Sequence, residues 1–246
     1  MCGRFTLRTP ARRLAELFGG RAEDYGAPRY NIAPGRAVLA LRSSAPGSRD
    51  LVRLQWGLVP SWAKDAAIGN RLINARAESV AEKPAFRAAF RGRRCLVLAD
   101  GFYEWRREGR ARQPFYIRLD PDRPFAFAGL WERWTKEGPP LETCTIATTE
   151  ASPALASIYA RMPVILEPED YALWLEAGPE LAEAAASLMR PYVGALTCDP
   201  VGLRVNSPRV DEPALIEPLA REAAAEPAQG QLFETDDSAR PRAPRE

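Results

Sequence analysis

The chain has 246 residues, 46% of them hydrophobic, with a formal net charge of +2, which suits one large domain or two small ones with a sizeable core. It has no run of about 18 apolar residues and no opening signal-peptide pattern, so a membrane helix is not expected and the cytoplasm is. Histidine is absent; this excludes Ser-His-Asp and Cys-His mechanisms and leaves acid–base work to Glu, Asp, Tyr, Lys or a terminal amine.

Cys2, Cys95, Cys144 and Cys198 are widely spaced. They read as reduced thiols rather than a disulfide frame or zinc site, and neither metal nor cofactor is expected. The small net charge conceals an asymmetry. Residues 1–161 hold 27 Lys+Arg against 16 Asp+Glu, and residues 162–246 hold 7 against 16. An Arg excess over the first two thirds suits a phosphate-binding surface, although an Arg-rich composition with solvated charges gives the same numbers.

Met1-Cys2-Gly3-Arg4 opens the chain. A small second residue is the usual condition for methionine removal, which would leave Cys2 as the mature N-terminus. It would then carry an α-amine of pKa about 7.7–8.0 next to a thiol, the thiol made more nucleophilic by a cation such as Arg4. Such a pair captures an aldehyde twice, first as an imine and then as a thiazolidine ring. An ordinary small residue at a frayed terminus is an equal reading of these four residues.

Thr9-Pro10 starts a short helix with Thr9 as N-cap; Leu14, Leu17 and Phe18 share one face, and Gly19-Gly20 ends it. The turn Arg29–Gly35, with Asn31 and Pro34, brings backbone close to a ligand or to the next strand. Ala37–Leu41 and Leu51–Trp56 read as paired strands. In Trp56-Gly57-Leu58-Val59-Pro60-Ser61-Trp62, Trp56 is expected in the core and Trp62 free to stack on a base. Asn74, Arg76 and Glu78 alternate and would line one face if extended.

Pro84–Phe90 reads as a short helix, followed by Arg87, Arg91, Arg93 and Arg94 as phosphate contacts or a solvated rim. Cys95–Ala99 is a buried strand. It leads to Asp100-Gly101-Phe102-Tyr103-Glu104-Trp105. Between aromatics, Glu104 is either a desolvated general acid or an edge-strand carboxylate facing water. Phe115–Leu119, Phe125–Trp131 and Cys144–Thr148 are further strands. Ser152-Pro153 starts a helix ending near Tyr159, Pro168–Leu175 and Pro179–Met189 are helices, and Val201–Val205 is a late strand. Residues 221–246 are Ala/Glu/Pro-rich, then acidic and Arg/Pro-rich, and read as a disordered tail.

Met1-Cys2-Gly3-Arg4, Tyr30–Gly35, Trp56–Pro60, Asn74–Glu78, Asp100–Trp105 and Arg161-Met162-Pro163 occur in the order seen in the SRAP (SOS response-associated peptidase) family, which the chain resembles over about residues 2–220. The resemblance implies a single α+β domain around a curved, barrel-like antiparallel sheet flanked by short helices. It implies binding at abasic sites in single-stranded DNA, a thiazolidine crosslink through Cys2, autoproteolytic release of Met1 and a lyase side activity. It assigns Cys2, Asn74, Glu104 and Tyr159 to the chemistry, and Arg4, Asn31, Pro34, Trp62, Arg76 and Arg161 to DNA. Tyr159 is a departure: the family usually has histidine there, and with tyrosine, crosslink reversal should be slower. The protein is expected to be a monomer. Gln229-Gly230-Gln231-Leu232-Phe233 also resembles peptides that dock on bacterial sliding clamps, through Gln229, Leu232 and Phe233. The rival readings are an N-terminal-nucleophile amidohydrolase using Cys2, and a DNA-binding module with an inert Cys2; the first is disfavoured because no Asn-Gly pair is present for an oxyanion hole.

Overall fold

The computed structural model describes residues 2–19, 26–45 and 48–219. The expected disordered tail and its clamp-like Gln229, Leu232 and Phe233 lie outside the described residues. In chain order the elements are β1 (Phe5–Leu7), α1 (Ala11–Phe18), β2 (Arg29–Ile32), β3 (Ala37–Ala45), β4 (Ser48–Trp56), β5 (Asn74–Arg76), α2 (Arg87–Gly92), β6 (Arg94–Ala99), β7 (Gly101–Glu108), β8 (Ala111–Leu119), β9 (Phe125–Trp134), β10 (Leu141–Glu150), β11 (Arg161–Pro163), β12 (Ile165–Leu166), α3 (Tyr171–Leu175), α4 (Ala182–Ser187) and β13 (Leu196–Pro200). Among the described residues, no helix is long and apolar enough to cross a membrane.

The strands form two sheets. In the larger, β10, β4, β3, β6 and β9 pair in sequence, and β9 pairs back onto β10, so five strands close a ring. Closure removes edges that would otherwise template pairing with another chain. The second sheet runs β13-β8-β7-β1-β2. The α+β class and barrel-like curvature match expectation. The sheet is not purely antiparallel, because β10 runs parallel to both β4 and β5. Long β10 thus joins segments far apart in sequence.

β6 explains how the two layers meet. All six of its residues are buried. Leu96 and Leu98 pack with Phe90, Trp174 and Leu175 beneath the helices. Cys95, Val97 and Ala99 point the other way, into a cluster shared with Phe5, Phe102 and Phe127. A continuous apolar run is what burial on both faces requires. Trp56 lies in this second cluster, 1% exposed, its Nε1 donating to Ile73 O at 2.8 Å.

Several local expectations are corrected. Thr9 does not cap α1; Pro10 holds the cap position, and the Thr9 hydroxyl donates to Asp100 Oδ1 at 2.5 Å. The Arg8 and Thr9 amides also donate to Asp100. A buried carboxylate out-competed the local cap. Leu17 is exposed, leaving Leu14 and Phe18 as the buried face. Residues 153–158 form successive turns, with Leu155 and Ala156 amides both donating to Ser152 O, rather than a helix. The late strand is Leu196–Pro200, and Leu203–Asn206 is 3-10 helix. Arg94 is not a phosphate contact. It is 3% exposed and donates to the carbonyls of Phe90, Trp174 and Glu176, tying α2 and α3 to the barrel.

Candidate functional site

The cluster shared by the two sheets collects the sequence motifs. Cys2, Ile32, Trp56, Phe102, Phe115, Ile146, Ile158 and Met162 all belong to it. Residues directly opposite across paired strands share a face. Asn74 is opposite Ile146, and Arg76 is opposite Thr148. Both therefore project on the side of the sheet that Ile146 presents to the cluster holding Cys2. Glu104 is opposite Phe115 and two residues from Phe102, both in the same cluster. Three motifs, at Cys2, Asn74 and Glu104, far apart in the sequence, meet here because β1, β5 and β7 border one apolar layer.

Cys2 is fully buried. Its thiol pKa is pushed up by burial and then by the charge of Glu104, while the positive chain terminus acts in the opposite sense. The expected activation by Arg4 is not found. Arg4 turns its guanidinium away, donating to Asn31 Oδ1 at 2.8 Å, Val205 O at 2.7 Å and Asn206 O at 3.3 Å. Only its backbone carbonyl faces the thiol, at 3.9 Å.

Glu104 is 3% exposed. Burial among apolar groups raises its pKa from 4.5 to about 7, with the positive chain terminus opposing. Of the two sequence readings, the desolvated acid is the one seen. Near neutral pH such a carboxyl can both give and take a proton. Asn74 is half-buried. Its Nδ2 reaches Ile146 O at 3.5 Å, and its Oδ1 is buried with no hydrogen-bond partner among the described residues. Buried amide oxygens are usually satisfied, so this one is available to a ligand.

Arg161 begins β11 opposite Glu150. It holds Glu78 bidentately, at 2.9 Å on each oxygen, and donates to Thr148 O at 2.8 Å. The Arg161 guanidinium holds the Glu78 carboxyl below its usual range. Bidentate geometry of this kind also fits a phosphate. Glu78, at the end of the Asn74–Glu78 motif, was singled out in the sequence by alternation but had no role. Arg76 is exposed beside this pair. Tyr159 is 38% exposed on the preceding turn, its amide donating to Leu155 O at 3.0 Å.

The remaining residues divide. Trp62 is 56% exposed, with Nε1 only 3.4 Å from Pro84 O. Pro34 is half-buried, next to Gly35 at φ +80°, whose amide donates to Trp56 O at 2.7 Å. Asn31 is 1% exposed, and its Nδ2 serves the carbonyls of Val205, Ser207 and Val210. Its side chain is thus occupied internally, as is that of Arg4. Together they lock the N-terminal segment to residues 205–210. No group of three Cys, Asp or Glu residues among those described could hold a metal.

Known proteins resemble this chain over most of its length. The model of the SOS response associated peptidase (SRAP) family matches residues 1–208. The chain is 42% identical to the abasic site processing protein YoqW of Bacillus subtilis over 223 residues, covering 88% of this chain and 99% of that one. It is 32% identical to the abasic site processing protein HMCES of Gallus gallus, covering 89% of this chain and 78% of the relative. A crystal structure of a protein from Bacteroides thetaiotaomicron superposes with a TM-score of 0.80 at 27% identity, covering 89% of this chain and all of that one. On the extent of the family match and on the identity to YoqW, the chain belongs to the SOS response associated peptidase family.

Proposed function

We propose that this protein processes abasic sites in single-stranded DNA by capturing the lesion as a covalent thiazolidine on Cys2. The observation that carries this reading is the burial of Cys2 beside Glu104, a carboxyl protonated up to about pH 7. The names of the relatives supply the substrate class.

The chemistry follows from these groups. With Met1 removed, Cys2 offers an amine and a thiol. Glu104 gives its proton to the sugar ring oxygen O4′ as the C1′–O4′ bond breaks, and the C1′ hydroxyl proton leaves, giving an aldehyde. The amine adds to C1′, and the carbinolamine loses water to give an imine. The thiol then adds to C1′, and its proton passes to the nitrogen, with Glu104 as carrier. One water is released overall.

A thiol held protonated by burial suits this order, since the last step needs both the sulfur and its proton. Asn74 Oδ1 would orient the amine or the opened sugar. The imine also acidifies the neighbouring C2′–H, so elimination of the 3′-phosphate, a lyase reaction, competes with ring closure. Autoproteolysis would be the release of Met1.

Arg76 and Arg161 would hold phosphates beside the lesion, and Trp62 would stack on a flanking base. Arg4 and Asn31 would act by fixing the Cys2 segment rather than by touching DNA. The protein would work as a monomer in the cytoplasm.

The test is incubation with single-stranded DNA carrying one abasic site, followed by denaturing electrophoresis. A shifted band should need both the lesion and Cys2, and vanish in Cys2→Ala. Binding without any shifted band, in protein lacking Met1, would reduce the protein to a non-covalent binder.

A further inference from the structure

β7 carries Glu104 inward and then leaves the core as one arm of a hairpin with β8, turning at Gly109. The projecting part reads Trp105-Arg106-Arg107-Glu108-Gly109-Arg110-Ala111-Arg112. Arg106 is accounted for: it donates to Glu108 at 3.0 Å and stacks over Phe115 at 4.7 Å. Arg107, Arg110 and Arg112 are exposed, and none forms an ion pair with a described residue. Arg107 and Arg112 are directly opposite in register. Like charges at opposed positions of an antiparallel pair destabilise it. Glu108 does not relieve that repulsion, because it is engaged by Arg106, and neither opposed arginine pairs with a described carboxylate.

This face is the one opposite Glu104, which turns inward with Phe102 and Phe115, but its groove reaches back to the N-terminal segment. Trp105, Arg107 and Arg112 share one side of the hairpin by alternation and register. Trp105 and Arg112 line a groove of about 420 Å³ with Gly3, Arg4 and Asn206, beginning one residue from Cys2. Trp105 is fixed there by Nε1 donating to Asn206 Oδ1 at 2.8 Å. From Glu104 to Arg107 is three residues, about 10 Å of strand.

We infer that this hairpin is a second nucleic-acid contact: Arg107, Arg110 and Arg112 bind the phosphodiester backbone of the strand flanking the lesion on one side. The assignment rests on the single-stranded DNA reading above. It gives the opposed arginines an anionic partner that neutralises them only when DNA is bound.

The experiment measures non-covalent affinity for single-stranded DNA containing a tetrahydrofuran abasic analogue, by fluorescence anisotropy over a range of salt. Arg107→Gln/Arg112→Gln should lower the magnitude of the log K against log salt slope by about 1.4, from two lost contacts on a single strand. Its thermal stability should be equal or higher, because the opposed charges are gone. Removing the DNA flank from one end, and not from the other, should erase the difference from wild type. Arg12→Gln/Arg13→Gln, which removes the same charge from α1, should leave the slope unchanged. An unaltered slope in the hairpin variant, or an equal drop in the α1 control, would overturn the inference. Wild type that binds with the predicted slopes but never crosslinks an authentic abasic site would instead sink the covalent reading and leave the hairpin standing.

Discussion

Arg94 and Asn74 both sit within the protein, on opposite faces of the large sheet, and they are treated in opposite ways. On the helix-covered face, Arg94 is buried with its guanidinium spent on three carbonyls. On the face toward the second sheet, Asn74 Oδ1, Thr148 Oγ1 and Ser152 Oγ are buried without hydrogen-bond partners among the described residues, and Glu104 is held near its protonated form. Full satisfaction suits a residue that fixes the fold, as Arg94 does, while Thr145 Oγ1 on the same helix-covered face is buried without a partner among the described residues. Unspent capacity gathered beside Cys2 and Glu104 supports the proposed ligand site, because a buried polar group left unmade is expensive to keep.

Substitutions on the two faces should therefore separate activity from stability. The largest expected effect is Glu104→Gln, which should slow crosslinking by about 100-fold or more, the usual range for a lost general acid–base. It should also remove the fall in wild-type rate as pH rises through about 7, where Glu104 loses its proton; single-turnover rates across pH check this. Stability carries the same signature. A carboxyl that titrates at 4.5 unfolded and about 7 folded keeps its proton longer in the fold. Stability from this group is complete below pH 4.5 and declines as pH rises through 7, by about 3 kcal/mol. Chemical denaturation at pH 5 and pH 8 should show that loss in wild type and not in Glu104→Gln.

Next is Arg94→Met, which should cost about 3 kcal/mol by leaving three carbonyls unpaired. Crosslinking per folded molecule should stay at the wild-type rate, as judged by urea melts and gel assays on the same samples. Trp62→Ala should then weaken DNA binding by about 1–3 kcal/mol through loss of stacking, with an unchanged melting temperature. The smallest effect is Tyr159→His, which should speed release of the DNA several-fold, since an imidazole carries protons near neutral pH and a phenol does not. An unchanged release rate would remove Tyr159 from the reaction.

Much of this was legible in the sequence where one property dominated. The run Cys95–Ala99 could only be buried on both faces, and it is β6. Aromatics around Glu104 left a desolvated acid and a water-facing carboxylate both open, and burial decided for the first; Gly and Pro between Trp56 and Trp62 suggested one tryptophan inside and one out, as found. What escaped depended on partners distant in the chain. Thr9 looked like a cap because Asp100 is 91 residues away. Arg4 looked like a neighbour of the thiol because its real acceptors, Val205 and Asn206, lie at the other end of the described chain. Arg94 sat in a run of arginines and looked like a phosphate contact. Glu78 was visible by alternation, but its pairing with Arg161 required β10 to bring β5 and β11 together.

The most direct test of the central claim is mass spectrometry of the crosslinked N-terminal peptide after digestion of protein and DNA. A thiazolidine predicts a peptide that lacks Met1 and begins at Cys2. It should carry the sugar remnant with loss of one water, resist borohydride, and present no thiol to iodoacetamide. A remnant on a lysine, a borohydride-reducible bond, or an alkylatable Cys2 in the crosslinked species would contradict it.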